Sequence, residues 1–102
     1  MMPDELTDLA VRAQGGDRVA LSDFVRATQD DVWRVCAHLT SPGQADDVAQ
    51  EVYLRALRSL PRFRAESSAR TWLLAIARNT AIDTVRSSVR RRRLQALSLI
   101  HI

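Results

Sequence analysis

The sequence predicts an all-α protein, a compact bundle of about four helices. Apolar side chains recur at i, i+3, i+4 and i+7 in successive segments, and no segment shows the period-two alternation of a half-buried strand. Helix punctuation falls at the segment edges: Asp before, Gly or Pro after. A chain of 102 residues, 46% hydrophobic and 26% charged, fits one small globular domain.

The first helix is expected from about Glu5 to Gln14, started at Pro3-Asp4, with Leu6, Leu9, Ala10 and Ala13 on its apolar face. Gly15-Gly16 stops it. Asp17 caps a long second helix whose stripe reads Leu21, Phe24, Val25, Thr28, Val32, Val35, Cys36 and Leu39. Thr40-Ser41-Pro42-Gly43 has the composition of a turn. The third helix spans about Ala45 to Ser59 and buries Ala45, Val48, Ala49, Val52 and Ala56. Leu60-Pro61 ends it, because the residue before proline is pushed out of the helical region. Residues 62–68 read as an exposed loop. The fourth helix starts near Ala69, capped by Ser67 or Ser68, and runs to about Arg90. Trp72 is expected in its core-facing side.

Residues 1–93 form the expected domain, and residues 94–102 a truncated linker and tail. The final six residues, Leu97 to Ile102, break the polar run before them and match the in-frame translation of a transposon-end adaptor used in sequencing libraries. They are expected to be foreign to the natural chain and are set aside in the fold reading.

Charge is unevenly distributed. Residues 1–61 carry six Arg and ten acidic residues, whereas residues 62–102 carry nine Arg and two, and the chain has no Lys. The split points to two partners, with a polyanion facing the second half. No apolar run long enough to span a membrane and no secretory leader is recognisable, so no membrane insertion is expected. The single cysteine, Cys36, fits a reducing compartment such as the cytoplasm. No Cys/His ligand cluster, glycine-rich phosphate loop or nucleophile–base spacing is present, so no enzyme activity, metal or cofactor is expected.

Two constellations carry the functional reading. On the third helix, Asp47, Gln50, Glu51 and Leu54 share a face other than the buried one. Such a strip is common on solvated helices, but its mixture of charge, amide and one leucine also suits helix-to-helix docking. On the fourth helix, Asn79, Asp83, Arg86 and Arg90 fall within about 60° of one another. Asn and Arg read base edges and phosphates; Asp83 is expected to orient Arg86 or Asn79, or to repel the wrong partner. Between the two helices, Arg62-Phe63-Arg64-Ala65-Glu66-Ser67-Ser68 interleaves an aromatic, arginines and hydroxyls, a mix suited to an unstacked base. The competing reading of Phe63 is a ring that plugs the end of the bundle.

Together, Asp46-Asp47-Val-Ala-Gln50-Glu51-Val-Tyr53, then Leu60-Pro61-Arg62-Phe63-Arg64, then Arg70-Thr71-Trp72-Leu73-Leu-Ala-Ile76-Ala77-Arg78-Asn79 resemble region 2 of bacterial sigma factors of the extracytoplasmic-function type. The likeness covers roughly Leu6 to Arg93. It implies that Asp47, Gln50, Glu51, Leu54 and Arg58 dock on the β′ clamp helices of RNA polymerase core. It implies that the loop from Phe63 to Ser68, with Arg64 and Ser67, and Arg78, Asn79, Asp83 and Arg86 recognise promoter DNA, the non-template strand of the −10 element, and help to melt it; Arg62 in the loop and Arg90 on the strip are expected to join them through their charge. An anti-sigma factor covering the polymerase face is a further partner implied by the family. The second helical domain, region 4, which reads the −35 element in that family, has no counterpart here, so this chain alone is expected to be defective in transcription. Two rival classes are a helix-turn-helix regulator of closed duplex and a purely protein-binding helical module. The long loop between helices three and four disfavours the first, and the arginine-rich half disfavours the second.

Overall fold

The computed structural model describes residues 4–100. Four helices, α1 (Glu5–Gln14), α2 (Arg18–Leu39), α3 (Ala45–Ser59) and α4 (Ala69–Ile100), are joined by short connections, with a 3₁₀ turn at Leu60–Arg62 after α3. Among the described residues there is no strand. Among the described residues no helix is long and apolar enough to cross a membrane.

Both early helices start as their sequences direct. The Asp4 carboxylate accepts from the Thr7 amide at 2.8 Å and the Thr7 hydroxyl at 3.0 Å. The Asp17 carboxylate accepts from the Ala20 amide at 3.0 Å and from Arg12 at 3.2 Å. Each satisfies an amide that the first turn leaves without a partner. Between them Gly16 takes a φ of 104°, a conformation that only glycine adopts without strain.

The amide bonds at the caps favour the charged carboxylate and hold both acids below their ordinary range, with the Thr7 amide the largest cause at Asp4 and the Ala20 amide at Asp17. A lowered folded pKa contributes stability that is present above the unfolded value and is lost as pH falls through the folded one. The melting temperature is therefore expected to hold above about pH 5 and to fall below about pH 4. Asp17→Asn melts lower than the parent at neutral pH, and the two curves converge in acid. A gap that is the same at pH 7 and in acid rejects the assignment.

The core joins all four helices. Ala10 from α1, Phe24, Val32 and Cys36 from α2, Val48, Val52 and Ala56 from α3, and Leu73, Ala77 and Ala81 from α4 are buried in one cluster, with Trp72 packed partly buried against it. The expected stripes of α1, α2 and α3 therefore hold as faces, with every member buried or half-buried except Leu39, which is exposed at the end of α2. Polar atoms inside are paired: the Thr28 and Tyr53 hydroxyls lie 2.7 Å apart, and Thr28 also donates to the Phe24 carbonyl at 2.8 Å. Burial pushes the Cys36 thiol up, which keeps it protonated and unreactive at neutral pH.

The fourth helix runs ten residues past its expected end at Arg90, to Ile100. Its apolar periodicity does fade there, and Leu94, Leu97 and Leu99 are exposed. Nevertheless Arg, Leu, Gln and Ala all favour helix, and no Gly or Pro interrupts them, so the backbone continues without a core to cover. This overrun gives the molecule its 61 Å long axis. His101 and Ile102, the last residues of the tail set aside above, lie outside the described residues.

Candidate docking face and nucleic-acid interface

The α3 face. At 100° per residue Asp47, Gln50, Glu51, Leu54 and Arg58 lie within about 100° of one another on α3. Asp47, Gln50, Leu54 and Arg58 are exposed and Glu51 is half-buried. Leu54 leaves 48% of its surface in water, an apolar spot inside a charged strip. Asp46, beside this strip, accepts from the Trp33 indole of α2 at 3.0 Å.

The connection to α4. Gln14, at the end of α1, donates from its amide nitrogen to the Leu60 carbonyl at 3.0 Å and the Phe63 carbonyl at 2.6 Å. This clamps the 3₁₀ turn from a helix nearly fifty residues away. The Phe63 ring turns inward. It is only 7% exposed and packs on Trp72, with ring centroids 5.0 Å apart and planes tilted by 47°. This corrects the expectation that Phe63 offers an open wall to a base: the ring is the plug, and burying it costs less than leaving so large an apolar surface in water. Arg62, Arg64, Glu66 and Ser67 remain exposed. Ala65, at the tip, sits at φ 57°, in the left-handed region that alanine rarely adopts.

The loop also ends on fixed points. The Ser68 hydroxyl accepts from the Thr71 amide at 3.1 Å and donates to the Thr71 hydroxyl at 2.9 Å, so Ser68 is the cap of α4. The Ala69 amide donates to the Thr7 hydroxyl of α1 at 3.0 Å. Arg70 pairs with Asp31 of α2, which also holds Arg34 at 3.3 Å.

The α4 strip. Asn79, Asp83, Arg86 and Arg90 are all exposed along one flank of α4. Ser68 lies about 16 Å from Asn79 along the helix axis, and Arg90 about 16 Å further, so loop and strip form an elongated track rather than a pocket. Arg78 does not join it. It lies about 100° round the helix from Asn79, in the groove between α2 and α4 beside Arg34, Val35, His38 and Leu39. Asp83 orients neither Asn79 nor Arg86. It accepts from Arg55 of α3 at 2.8 Å, and Arg55 also contacts Glu51 at 3.3 Å. The bond to Asp83, more than that to Glu51, raises the Arg55 guanidinium above its ordinary range.

Arg55 is one residue that the sequence alone does not single out. Its i, i+4 spacing to Glu51 was visible, but its partner on α4 is 28 residues away and leaves no local signal. Gln14 and Thr7 were missed for the same reason. Among the described residues no group of three or more His, Cys, Asp or Glu is placed to hold a metal ion.

This arrangement has known counterparts. The family described as sigma-70 region 2 matches residues 24–92. A probable RNA polymerase sigma-C factor of Mycobacterium bovis is 53% identical over 83 residues, covering 81% of this chain and 45% of that protein. An ECF RNA polymerase sigma-E factor of Escherichia coli is 39% identical over 82 residues, covering 78% of this chain and 43% of that protein. The chain thus spans less than half the length of the curated relatives it matches. Among solved structures, the NMR structure of an engineered region 2 of sigmaE in complex with GTAAAA superposes with a TM-score of 0.79 at 32% identity, covering 84% of this chain and 90% of that one.

Proposed function

This chain belongs to the sigma-70 region 2 family, in its extracytoplasmic-function branch, and from that premise we propose how its two faces divide the work. The face of α3 around Asp47, Gln50, Glu51, Leu54 and Arg58 docks on the β′ clamp helices of RNA polymerase core. The loop and the flank of α4 take the non-template strand of the promoter −10 element and hold it open. An anti-sigma factor, where one exists, competes for the α3 face.

The observation that carries this reading is the segregation of two exposed faces on adjacent helices: acidic and amide groups around one leucine on α3, Asn and Arg along α4. A binding face with an apolar spot in a polar frame suits a helical protein partner, whereas the arginine flank suits phosphates and base edges. The sigmaE region 2 structure with its GTAAAA ligand supports a short strand as the ligand here. Opening base pairs costs more than a few phosphate contacts return, so anchoring on a large partner is what lets a domain of this size act on a duplex.

The loop works through its backbone and polar groups. Phe63 below and Ser68 at its end fix a short span in which Arg64, Glu66 and Ser67 point into water and Ala65 is held left-handed. A preformed loop loses little entropy on taking a flipped base. Asn79 and Arg86 then contact neighbouring nucleotides, and residues 90–93 add salt-sensitive attraction to phosphate.

The test is fluorescence anisotropy with the 102-residue chain, a β′ clamp-helix fragment and single strands carrying candidate −10 sequences. Both partners should bind. Asn79→Ala should weaken preferred-strand binding about tenfold and leave the clamp fragment untouched. Strand binding without clamp binding favours a helical DNA-binding regulator, and the reverse favours an interaction module. Preference intact in Asn79→Ala removes that residue from the site.

A further inference from the structure

Asp83 is the sole acidic residue of α4, in the midst of the flank that carries Asn79, Arg86 and Arg90. An unpaired carboxylate at that place repels a phosphate backbone. Arg86 and Arg90 share its helix face at i+3 and i+7, yet its ion pair is with Arg55 of α3, at 2.8 Å. That bond draws the carboxylate toward the cleft between α3 and α4, which is lined by Arg55, Asp83, Thr84, Ser87 and Arg91.

We propose that Arg55, a residue of the docking helix, is a positioning residue for the strand-binding flank: by holding Asp83 it neutralises that carboxylate and leaves Arg86 and Arg90 free for the strand. The proposal rests on the division of faces above and adds a member to it. Arg55 stands at the edge of the docking face and shares its guanidinium between Glu51, through Nε at 3.3 Å, and Asp83, through Nη1. The planar fork allows both at once, since its donors diverge in fixed directions. Without Arg55, Asp83 turns to Arg86 or Arg90 or stays bare, and either way the flank loses cationic character toward DNA.

The test is a charge-balanced set of variants of the whole chain, read by anisotropy with a labelled random-sequence single-stranded DNA oligonucleotide across a salt series. Arg55→Ala should weaken binding on the order of tenfold and flatten the slope of log K against log salt. Arg55→Ala combined with Asp83→Asn should recover most of the loss, because the carboxylate that Arg55 covered is gone. Arg55→Ala combined with Asp23→Asn, with the same net charge but the neutralised acid on α2, should not recover it. A merely structural bridge between α3 and α4 stays broken in the first double variant, so affinity that fails to return overturns the proposal. Equal recovery by both double variants reduces the effect to net charge and overturns it too, as does wild-type affinity in Arg55→Ala. Failure of the unsubstituted chain to bind any strand would sink the strand-binding reading itself, and this proposal with it.

Discussion

Phe63→Ala lowers the free energy of unfolding by about 3 kcal/mol, the usual cost of deleting a buried aromatic ring. The ring is nearly inaccessible and stacks obliquely on Trp72, while the backbone beside it is clamped by Gln14. Its removal leaves a void between α4 and the 3₁₀ turn that the clamp prevents from collapsing. Against a total of about 5–15 kcal/mol for a domain of this kind, that is a large share. Thermal melting by circular dichroism should show a midpoint lower by roughly 15 °C, given about 4–8 °C per kcal/mol at this size. Phe63→Leu supplies the decisive contrast. It refills most of the volume, costs about 1 kcal/mol, and leaves strand binding unchanged if the ring is only a plug. Strand binding that collapses in Phe63→Leu while the fold stays intact would restore the ring as a base-stacking surface.

Glu51→Arg abolishes docking on the clamp helices, with a loss of at least about 30-fold, the scale of an interface hot spot. Glu51 is half-buried on the α3 face between Asp47 and Leu54, so its carboxylate is positioned to be desolvated by a partner, where a reversed charge is costly. The substitution also sets a second guanidinium beside Arg55, which drives Arg55 onto Asp83 and so leaves the DNA flank intact. The expected pattern is lost binding of the β′ fragment, retained binding of a single strand, and an unchanged helical spectrum. Glu5→Arg on α1 carries the same charge change away from the face and should dock normally. Equal docking by Glu51→Arg and the parent keeps the partner but moves the docking face off this part of α3.

These two outcomes bear on different kinds of knowledge. Helix limits were legible in the sequence: α1 falls where its Asp4 cap and its periodicity put it, and α3, which has no side-chain cap, falls where its periodicity alone puts it, because caps and the 3.6-residue repeat are local properties. The end of α4 was not, since the loss of an apolar stripe marks the end of packing and not the end of helix. The exposed acidic strip of α3 and the arginine flank of α4 were also legible, as charges on an amphipathic helix whose buried face is already assigned have one remaining place to go.

What the sequence by itself determined, then, is an all-α bundle, the order and start of its helices, and the chemical character of its two outer faces. Tertiary structure decided which named residues those faces contain. It turned Phe63 inward onto Trp72, set Arg78 in a different groove from Asn79, and fastened the loop with Gln14 and Thr7. It also gave Asp83 to Arg55, not to its own helix neighbours. Each of these turns on a partner far away along the chain, and no short window of sequence records where a distant helix will place a donor or leave a space for a ring.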